Sequence, residues 1–596
     1  MIGFLQPLVL LALVAAAGPA LLHLLQRREP PVVPFPAVQY LQEAARQHSR
    51  RLRLHNLLLL LLRTCIILLL VLAAARPVAR LSTPGGHAPL AIAVVLDHSL
   101  SSGAIVGGVR VSDTLAARAR GIFAAAGPDD HLWLVLADGI PRRVSRSEAG
   151  QLLDGIQPTA VRLDLGAAVR AAAQAVDGDI LPGQILVLSD NQATAWSAGP
   201  VTVPVLVWEA PGPSSNHSID SLRAEPPIWP GGGRLVVGLG GDGGAVAVRF
   251  DVDGTTHARA LAGPGDVVEL EAALPPGWHA GRVVLDGDEL RADDERHVAI
   301  RVTPPARVTA GPGAGPFVGA AVAALREAGR FATSSGMPVA VDERLGPGVH
   351  VLLPPSDPAL VGTVNRQLAA RGIAWRFGAP GTSGDVISPV LPVEGATVTR
   401  RYRLDGGAGG VVARVDGAPW IVRAGDVVLM GSRLDPAWTS LPVTASFVPF
   451  LDLLINQVAA ADAWMVEAVP GATVVLPAGD LRLVGAAGAV AVGADGAVTA
   501  PLELGVWYAV RGTDTVGALV VNPDPRESRL EPAAQRALRG ALGPTADVTR
   551  RAAPTDVFAA TAARADLTPV LLVLALAAVI AEFLVAARMG RPAGAD

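Results

Sequence analysis

The stretch Ala91-Ile92-Ala93-Val94-Val95-Leu96, followed by Asp97-His98-Ser99-Leu100-Ser101, sets the architecture of the first water-facing domain. An uninterrupted apolar run of this length, rich in branched side chains, is typical of a strand that is covered on both faces. An acidic residue and two hydroxyl residues follow it in the pattern D-x-S-x-S. Open α/β sheets bind their ligands beyond the carboxyl ends of the strands, where this loop falls. The stretch therefore predicts a parallel sheet with a functional loop at its edge.

Predicted strands and helices alternate around this stretch, from residue 88 to residue 210. Further short apolar strands are predicted at 132–136, 185–188 and 203–207, and helices at 111–126 and 165–176. Strands that alternate with helices form parallel sheets with helices on both faces. The sequence therefore predicts an α/β domain over residues 88–210.

The D-x-S-x-S loop offers one carboxylate, from Asp97, and two hydroxyls, from Ser99 and Ser101. Hard oxygen ligands that leave room for water suit Mg²⁺, which keeps several waters in an octahedral shell. The alternative interpretation is an ordinary loop, in which these side chains bond to nearby backbone and cap the next element.

The strand 185–189 ends in Asp190, and Asp164 precedes the predicted helix at 165–176. With the D-x-S-x-S loop, this arrangement resembles the metal-ion-dependent adhesion site of von Willebrand factor A domains, whose fold is Rossmann-like. The resemblance implies that Asp190 is the second metal-site aspartate and that Asp164 lies in the shell around the metal. Two positions depart from the family. Asn191 stands where the family usually has glycine, and Leu163 stands where it has a liganding threonine, so one direct ligand is missing.

Three apolar stretches, at 4–25, 57–75 and 568–587, are long enough to cross a membrane as helices. A crossing takes about 20 mostly apolar residues. Arginines cluster between the first two stretches, and two more follow the third. Short arginine-rich loops stay in the cytoplasm, so the region from about residue 80 to residue 566 is predicted to face away from it. We expect three spans with an extracytoplasmic central region.

Two ionisable residues, Arg63 and Glu582, lie inside these apolar stretches. Such groups are costly in hydrocarbon. Arg63 is near the predicted cytoplasmic end of its span, where a long side chain reaches the headgroups. The sequence therefore predicts that Arg63 snorkels to the membrane surface.

The rest of the chain divides into further units by its patterns. Residues 1–80 are predicted to hold two membrane helices, 215–304 a β-sandwich, 305–461 a second α/β domain, 462–525 a small β domain, and 526–596 a helical linker with the last span. The second α/β unit resembles a glutamine-amidotransferase-like layer. The chain's single cysteine, Cys65, lies in a predicted span, so that unit cannot use cysteine chemistry.

Several stretches carry a wider resemblance: 34–41, 60–63 and 74–77 near the N-terminus and, with lower specificity, 289–296, 430–438 and 522–528. The N-terminal ones look like the double-membrane-helix domain of Bat-type aerotolerance regulators. The resemblance implies a bacterial inner-membrane scaffold without a defined reaction. Besides membrane lipid, it implies other Bat-type subunits and a MoxR-type AAA+ ATPase as partners.

Other patterns exclude whole classes of function. The net charge of −4 gives no basic footprint for nucleic acid. The glycines at 311–315 lack the third glycine of a dinucleotide loop. The acids at 293–295 lack the spacing and glycine of an EF-hand, so they predict a solvated turn. Neither a zinc-protease motif nor a nucleophile elbow with its partners supports hydrolysis, so we predict that the chain is not an enzyme.

Three hypotheses follow. The first is a membrane-anchored interaction protein that binds an acidic group of a partner through Mg²⁺ at the adhesion site. The second is a metal-independent scaffold, in which the site is vestigial because Leu163 has replaced the threonine. The third is an envelope enzyme that uses the second α/β unit. The third would gain support from a pocket with strongly perturbed acids in residues 306–460.

Overall fold

The structure is a computed structural model. It describes residues 2–4, 7–19, 21, 42–75, 77–80, 89–213, 215–407, 409–459, 463–549, 564–566 and 568–589.

The first α/β domain has a six-stranded sheet at its centre, with Ala91–Leu96 in an interior position. The strands lie in the order Ala546–Thr549, Val205–Glu209, Gly183–Ser189, Ala91–Leu96, His131–Val135 and Pro141–Val144. All neighbours are parallel except the last pair. The α/β fold predicted around the first strand is therefore present.

Helices cover both faces of this sheet, which explains the uninterrupted apolar run of its first strand. Ile92, Val94 and Leu96 pack on one face with the helices Val111–Ala125 and Arg146–Asp154. Ala91, Ala93 and Val95 pack on the other face with the helix Leu165–Asp177. Side chains alternate between the faces of a strand, so only a strand buried on both sides needs every residue to be apolar.

The C-terminal part of the chain completes this domain, in a stretch for which the sequence predicts a helical linker. The helix Gln535–Leu542 packs its buried Leu538 and Leu542 into the same core as Val95. The strand Ala546–Thr549 pairs in parallel with Val205–Glu209. Its backbone groups cover a sheet edge that would otherwise be open.

Residues 217–303 form two packed sheets where the sequence predicts a β-sandwich. One sheet contains His217–Glu225, Gly232–Gly241 and Val267–Ala273; the other contains Ile228–Pro230, Glu295–Thr303, Gly277–Leu285, Val246–Val252 and Thr255–Ala262. Fully buried Trp229 and Phe250 lie edge to face in the core that the two sheets share.

The second α/β unit is built on an eight-stranded mixed sheet. Its strands, in spatial order, are Arg307–Ala310, Pro338–Asp342, Val349–Leu352, Val427–Met430, Ala418–Ala424, Val411–Val415, Gly384–Ile387 and Thr397–Val398. Its helices are Pro316–Glu327, Val361–Ala370 and Phe447–Leu453, the last continued by a π-helix at Leu454–Ala459. A separate strand pair joins Arg376–Pro380 to Tyr402–Asp405.

The glycine-rich loop at 311–315 is filled by a carboxylate of its own domain. The amide of Gly313 donates to the Asp342 Oδ1 at 3.0 Å. A Cβ added at Gly311 would come within 2.2 Å of the Asp342 carboxylate, so glycine is needed for this close approach. An acidic side chain here would repel a phosphate, which agrees with a loop between strand and helix rather than a nucleotide site.

The small β domain packs against the sandwich. Its strands are Trp464–Ala468, Asp514–Val521, Gly505–Arg511, Arg482–Gly485 and Gly488–Ala491, with a separate pair at Thr473–Val475 and Ala497–Thr499. The Trp278 indole donates to the Thr515 carbonyl at 3.2 Å. The Arg296 guanidinium lies 2.6 Å from the Glu467 carboxylate.

Two helices in the described residues are long and apolar enough to cross a membrane: Leu57–Ala74, within the helix Gln42–Ala74, and Thr568–Ala587, within Thr568–Met589. They pack against each other. The predicted first span lies partly outside the described residues. Its described part includes the 3-10 helix Pro7–Ala17, which at about 2.0 Å per residue reaches only ~22 Å. The count of three spans therefore stays a prediction.

A small sheet joins the ends of the membrane region. Pro77–Arg80 lies between Ile2–Phe4 and Arg564–Asp566, antiparallel to both. The N-terminus, the end of the second helix and the start of the last helix therefore meet at one place.

Candidate functional site

Asp97 follows the buried strand Ala91–Leu96 and is held on two sides. Its backbone amide donates to the Leu188 carbonyl at 2.9 Å. Its Oδ2 accepts the Ser189 hydroxyl at 2.6 Å, and its Oδ1 accepts the Ser99 amide at 3.0 Å. Asp97 is only 3% exposed. Its carboxylate is therefore fixed at the carboxyl edge of the sheet, where the sequence predicts the site.

The two serine hydroxyls of the loop point at each other. Ser99 Oγ and Ser101 Oγ are 3.3 Å apart, and both residues are buried. A short 3-10 turn at Leu100–Gly103 sets their spacing, and the Ser102 hydroxyl closes it by donating to the Ser99 carbonyl at 2.7 Å. The loop thus presents two hydroxyl oxygens beside the Asp97 carboxylate.

Asp190 enters from the next strand, Gly183–Ser189. Its Oδ1 accepts the Ser189 hydroxyl at 3.2 Å, and its carboxylate also accepts a hydrogen bond from Ser101. The Ser189 hydroxyl is thereby within hydrogen-bond distance of both aspartates. The structure brings Asp97, Ser99, Ser101 and Asp190 together, as the resemblance implies.

Asn191 stands where von Willebrand factor A domains usually have glycine, and its backbone conformation is one that both residue types adopt. Its φ is +61°, in the left-handed region that glycine and asparagine tolerate best. Its buried side-chain amide donates to Glu209 Oε2 at 3.0 Å and to the Ala533 carbonyl at 3.1 Å. The asparagine therefore ties the site loop to the C-terminal part of the chain.

Glu527 is a site residue that the sequence did not reveal. Its Oε2 accepts the backbone amide of Ser101 at 3.2 Å, although the two residues are 426 positions apart. Its carboxylate also accepts a hydrogen bond from the Ser99 side chain. Gln192 holds its backbone by donating to the Glu527 carbonyl at 2.8 Å. The stretch 522–528 stands out as a motif in the sequence, but no local pattern places it at this loop.

Three carboxylates, those of Asp97, Asp190 and Glu527, converge at this site, and the neighbouring Arg526 forms its ion pair with Asp524 instead. Burial and the charge of Asp97 raise the pKa of Asp190. Burial and the charges of Asp97 and Asp190 raise the pKa of Glu527 to about 8. No hydrogen bond or ion pair of the described residues brings an arginine or histidine onto these three carboxylates. Concentrated negative charge of this kind is what a bound cation relieves.

Leu163 and Asp164 differ from what a complete adhesion site needs. Leu163 is 4% exposed and packs in the core with Val95, so its position turns toward the core. Asp164 caps the helix Leu165–Asp177, where its Oδ1 accepts the Ala167 amide at 2.9 Å and the Ser197 hydroxyl at 2.7 Å. Burial opposes these bonds, but together they lower the pKa of Asp164. Within the described structure, no hydrogen bond joins Asp164 to the other predicted ligands.

The donor set fits Mg²⁺. Two aspartates and two serine hydroxyls supply hard oxygens, and Glu527 adds a third carboxylate to a site whose sequence pattern lacks the threonine. Mg²⁺ binds through one or two carboxylates and keeps water in its remaining positions. Asp97, Ser99, Ser101 and Asp190 would hold the ion, which would supply the positive charge that an acidic ligand needs.

A second acidic cluster in the sandwich corrects one prediction. Asp293 and Asp294, predicted to lie in a solvated turn, are only 5% and 4% exposed. Carboxylate oxygens of these two residues and Asp288 lie within 4.8 Å of one another. The Asn216 side-chain amide donates to Asp293 at 2.8 Å, and the Asp288 amide donates to Asp294 at 3.1 Å. The prediction of a solvated turn is wrong, because the start of the strand His217–Glu225 and the segment that ends at Ser528 cover this turn.

Comparison with known proteins finds one family model that matches the N-terminal region. The model of the aerotolerance regulator N-terminal domain, BatA, matches residues 1–77. A search of curated proteins finds no match.

Two solved structures are similar to parts of the chain. One is an aerotolerance-related membrane protein from Bacteroides fragilis, at 16% identity over 21% of this chain and 69% of that chain, with a TM-score of 0.17. The other is a von Willebrand factor type A protein from Catenulispora acidiphila, at 11% identity over 36% of this chain and 67% of that chain, with a TM-score of 0.16.

The family match therefore covers the membrane-proximal start of the chain. Residues 1–77 match the model of the aerotolerance regulator N-terminal domain, and the α/β domain that follows has a mostly parallel sheet with aspartate and serine side chains together at its carboxyl edge.

Proposed function

We propose that this protein is a non-enzymatic scaffold of the bacterial inner membrane, whose von Willebrand A-like domain binds an acidic group through Mg²⁺. Asp97, Ser99, Ser101 and Asp190 hold the ion. The observation that carries the proposal is the convergence of these four residues at the carboxyl edge of one sheet, beside a carboxylate from elsewhere in the chain. Asp164 supports the site from a distance by capping the adjacent helix.

The proposed orientation places the central region on the extracytoplasmic side. It rests on the arginines between the first two predicted spans and after the last one. The proposal includes three spans, with the region from about residue 80 to residue 566 outside the cytoplasm. Membrane lipid is then a direct partner of residues 57–74 and 568–587.

The proposed protein partners are other Bat-type subunits and a MoxR-type AAA+ ATPase. Both come from the family resemblance at residues 1–77. An ATPase works on the cytoplasmic side, where ATP is. In the proposed orientation it reaches only the arginine-rich loop before residue 57 and the tail after residue 587, whereas another Bat-type subunit can reach the adhesion site.

The enzyme alternative gains no support from the second α/β unit. Among the described residues of 306–459, Glu343 is an acid whose pKa departs from its ordinary value. Burial opposes the change, but hydrogen bonds from Ser356 and Arg433 lower its pKa. A structural ion pair with Arg433 at 2.7 Å accounts for this. The acids with strongly raised pKa values lie elsewhere, in the adhesion site and the sandwich.

The test is a crosslinking pull-down from membranes that compares the wild type with Asp97→Ala, each in Mg²⁺ and in EDTA. Because the sequence has no lysine, amine-reactive reagents would scarcely label the chain. A photoreactive residue at Val109 is suitable, since this position is 52% exposed on the hairpin Ile105–Arg110 that follows the site loop. Asp164→Asn is the matched control, because asparagine also caps helices well.

We expect a partner to be captured by the wild type and by Asp164→Asn in Mg²⁺, and to be lost in EDTA and in Asp97→Ala. Capture of the same proteins in every sample would favour the metal-independent scaffold with a vestigial site. Partner capture that disappears in Asp164→Asn but persists in Asp97→Ala would contradict the assigned ligands.

A further inference from the structure

The segment 522–528 reaches the adhesion site from the end of the small β domain. It follows the strand Asp514–Val521 and contains a 3-10 turn at Pro525–Ser528, which Asp524 caps by accepting the Arg526 amide at 3.0 Å. The turn directs Glu527 inward and leaves the Arg526 side chain 55% exposed. Glu527 itself is 1% exposed. Glu527 is therefore the acidic side chain of this turn that points into the site.

The surroundings of Glu527 are those of an acidic ligand. Its carboxylate accepts from the Ser101 amide at 3.2 Å and from the Ser99 side chain, beside the carboxylates of Asp97 and Asp190. Buried carboxylates are normally paired with a positive charge. Among the described residues, no cationic side chain is hydrogen-bonded to the Glu527 carboxylate, and a cation that binds among the three carboxylates would stabilise their charged forms.

We propose that Glu527 is the acidic ligand of this chain's own adhesion site, so that the site binds the segment 522–528 in cis and a partner's acidic residue must displace Glu527 to enter. This inference rests on the proposed function. It identifies Glu527 as the occupant of the site, so that an acidic residue of a partner must compete with Glu527 for the ion.

The contacts around the segment 522–528 determine how far it moves when a partner displaces Glu527. Beyond Glu527 the chain continues through the helix Gln535–Leu542 and the strand Ala546–Thr549 to the last membrane helix, Thr568–Met589. Neutral contacts keep the segment near the site when Glu527 leaves, since Thr194 donates to the Arg526 carbonyl at 3.1 Å and Gln192 to the Glu527 carbonyl at 2.8 Å. Displacement therefore loosens residues 522–528 locally without removing the segment from the site.

The test measures Mg²⁺ binding to the full-length protein by calorimetry, in the wild type, Glu527→Gln and Glu531→Gln. Glu531 is the matched control, because it is the next acidic residue after Glu527 in the sequence and its side chain is exposed. We expect Glu527→Gln to weaken Mg²⁺ binding by about 10- to 100-fold, the range found when groups that support metal ligands are removed. Glu531→Gln should bind Mg²⁺ as the wild type does.

Trypsin gives a second readout that does not depend on affinity. It cleaves after arginine, and Arg526 and Arg529 flank Glu527. Mg²⁺ should slow cleavage after Arg526 in the wild type and in Glu531→Gln, but not in Glu527→Gln. Cleavage after the exposed Arg511, mapped by mass spectrometry in the same digest, is the internal reference. Equal thermal unfolding in EDTA would show that Glu527→Gln is folded.

The outcomes separate this inference from the proposed function. Equal Mg²⁺ affinity and equal protection in the wild type and Glu527→Gln would overturn the cis ligand and leave the metal-dependent site standing. Absence of Mg²⁺ binding in the wild type would remove the metal mechanism and the cis ligand together. Weakened binding and lost protection in Glu527→Gln alone would support both.

Discussion

The Arg63 guanidinium lies 2.7 Å from the Glu582 carboxylate and joins two membrane helices whose residues are 519 positions apart. The sequence predicts that Arg63 snorkels to the headgroups, and the structure instead gives it a partner on the last helix. The helices run antiparallel, since Thr568 at the start of the last helix donates to the Ala73 carbonyl at the end of the other at 3.4 Å. The pair therefore fixes which faces of the two helices meet.

Replacement of either charged residue alone, in Arg63→Leu or Glu582→Leu, should destabilise the packing of the two helices, because the remaining charge is left unpaired in hydrocarbon. The double variant should recover stability, with a coupling on the order of 1 kcal/mol. Thermal unfolding in nanodiscs of the four proteins in this cycle measures the coupling. A double variant as unstable as the sum of the two single variants would contradict the pairing.

Leu163→Thr restores the residue that the adhesion-site family has at this position, yet we expect it to fail as a repair. Leu163 is buried in the core, so threonine there loses apolar contact and buries a hydroxyl. The expected cost is on the order of 2 kcal/mol of unfolding free energy. Mg²⁺ affinity should not improve. Calorimetry and thermal denaturation check both parts, and tighter Mg²⁺ binding would show that the threonine reaches the ion.

Asn191→Gly tests why this chain has asparagine where the family usually has glycine. Glycine accepts the φ of +61° without strain, so the main effect comes from the lost side-chain contacts with Glu209, Ala533 and Trp196. We expect a loss on the order of 1 to 3 kcal/mol, because buried partners are left without hydrogen bonds. Hydrogen exchange in the strand Ala546–Thr549 should rise with it. Unchanged exchange there would show that Asn191 does not anchor the C-terminal part.

Asp293 predicts a pH dependence of stability. Burial raises its pKa to about 7 and that of Asp294 to about 6, with Asp288 adding like charge to both, while His217 and Arg291 act against the shift at Asp294. An acid whose folded pKa exceeds its unfolded value of 3.8 takes up a proton on folding. The stability is therefore highest below the unfolded pKa and falls as the pH rises through the window up to about 7.

Asp293→Asn removes the charge and keeps an oxygen that can accept from Asn216. It should raise the melting temperature at about pH 8 and change it little at about pH 4, where the wild-type acid is already protonated. Thermal denaturation across this range checks the difference. If the substitution lowers the melting temperature equally at both pH values, the carboxylate charge is not the cause.

Local sequence patterns encode two parts of this protein. The apolar run at 91–96 predicts a strand that is covered on both faces, because side chains alternate between the two faces of a strand. The polar D-x-S-x-S pattern predicts a loop where this apolar run ends. The sequence also predicts the helices Leu57–Ala74 and Thr568–Ala587 as membrane spans, because this prediction needs only their length and their apolar composition.

The meeting of distant residues, by contrast, is visible only in the folded chain. Glu527 reaches Ser101 across 426 positions, Arg63 reaches Glu582 across 519, and Asp293 is buried because Asn216 and the segment near Ser528 cover its turn. Leu163 turns toward the core instead of offering a ligand, and the distant strand Ala546–Thr549 closes a sheet that begins near residue 91. These features depend on non-local packing, because a short polar segment has the same local pattern whether water or another domain covers it.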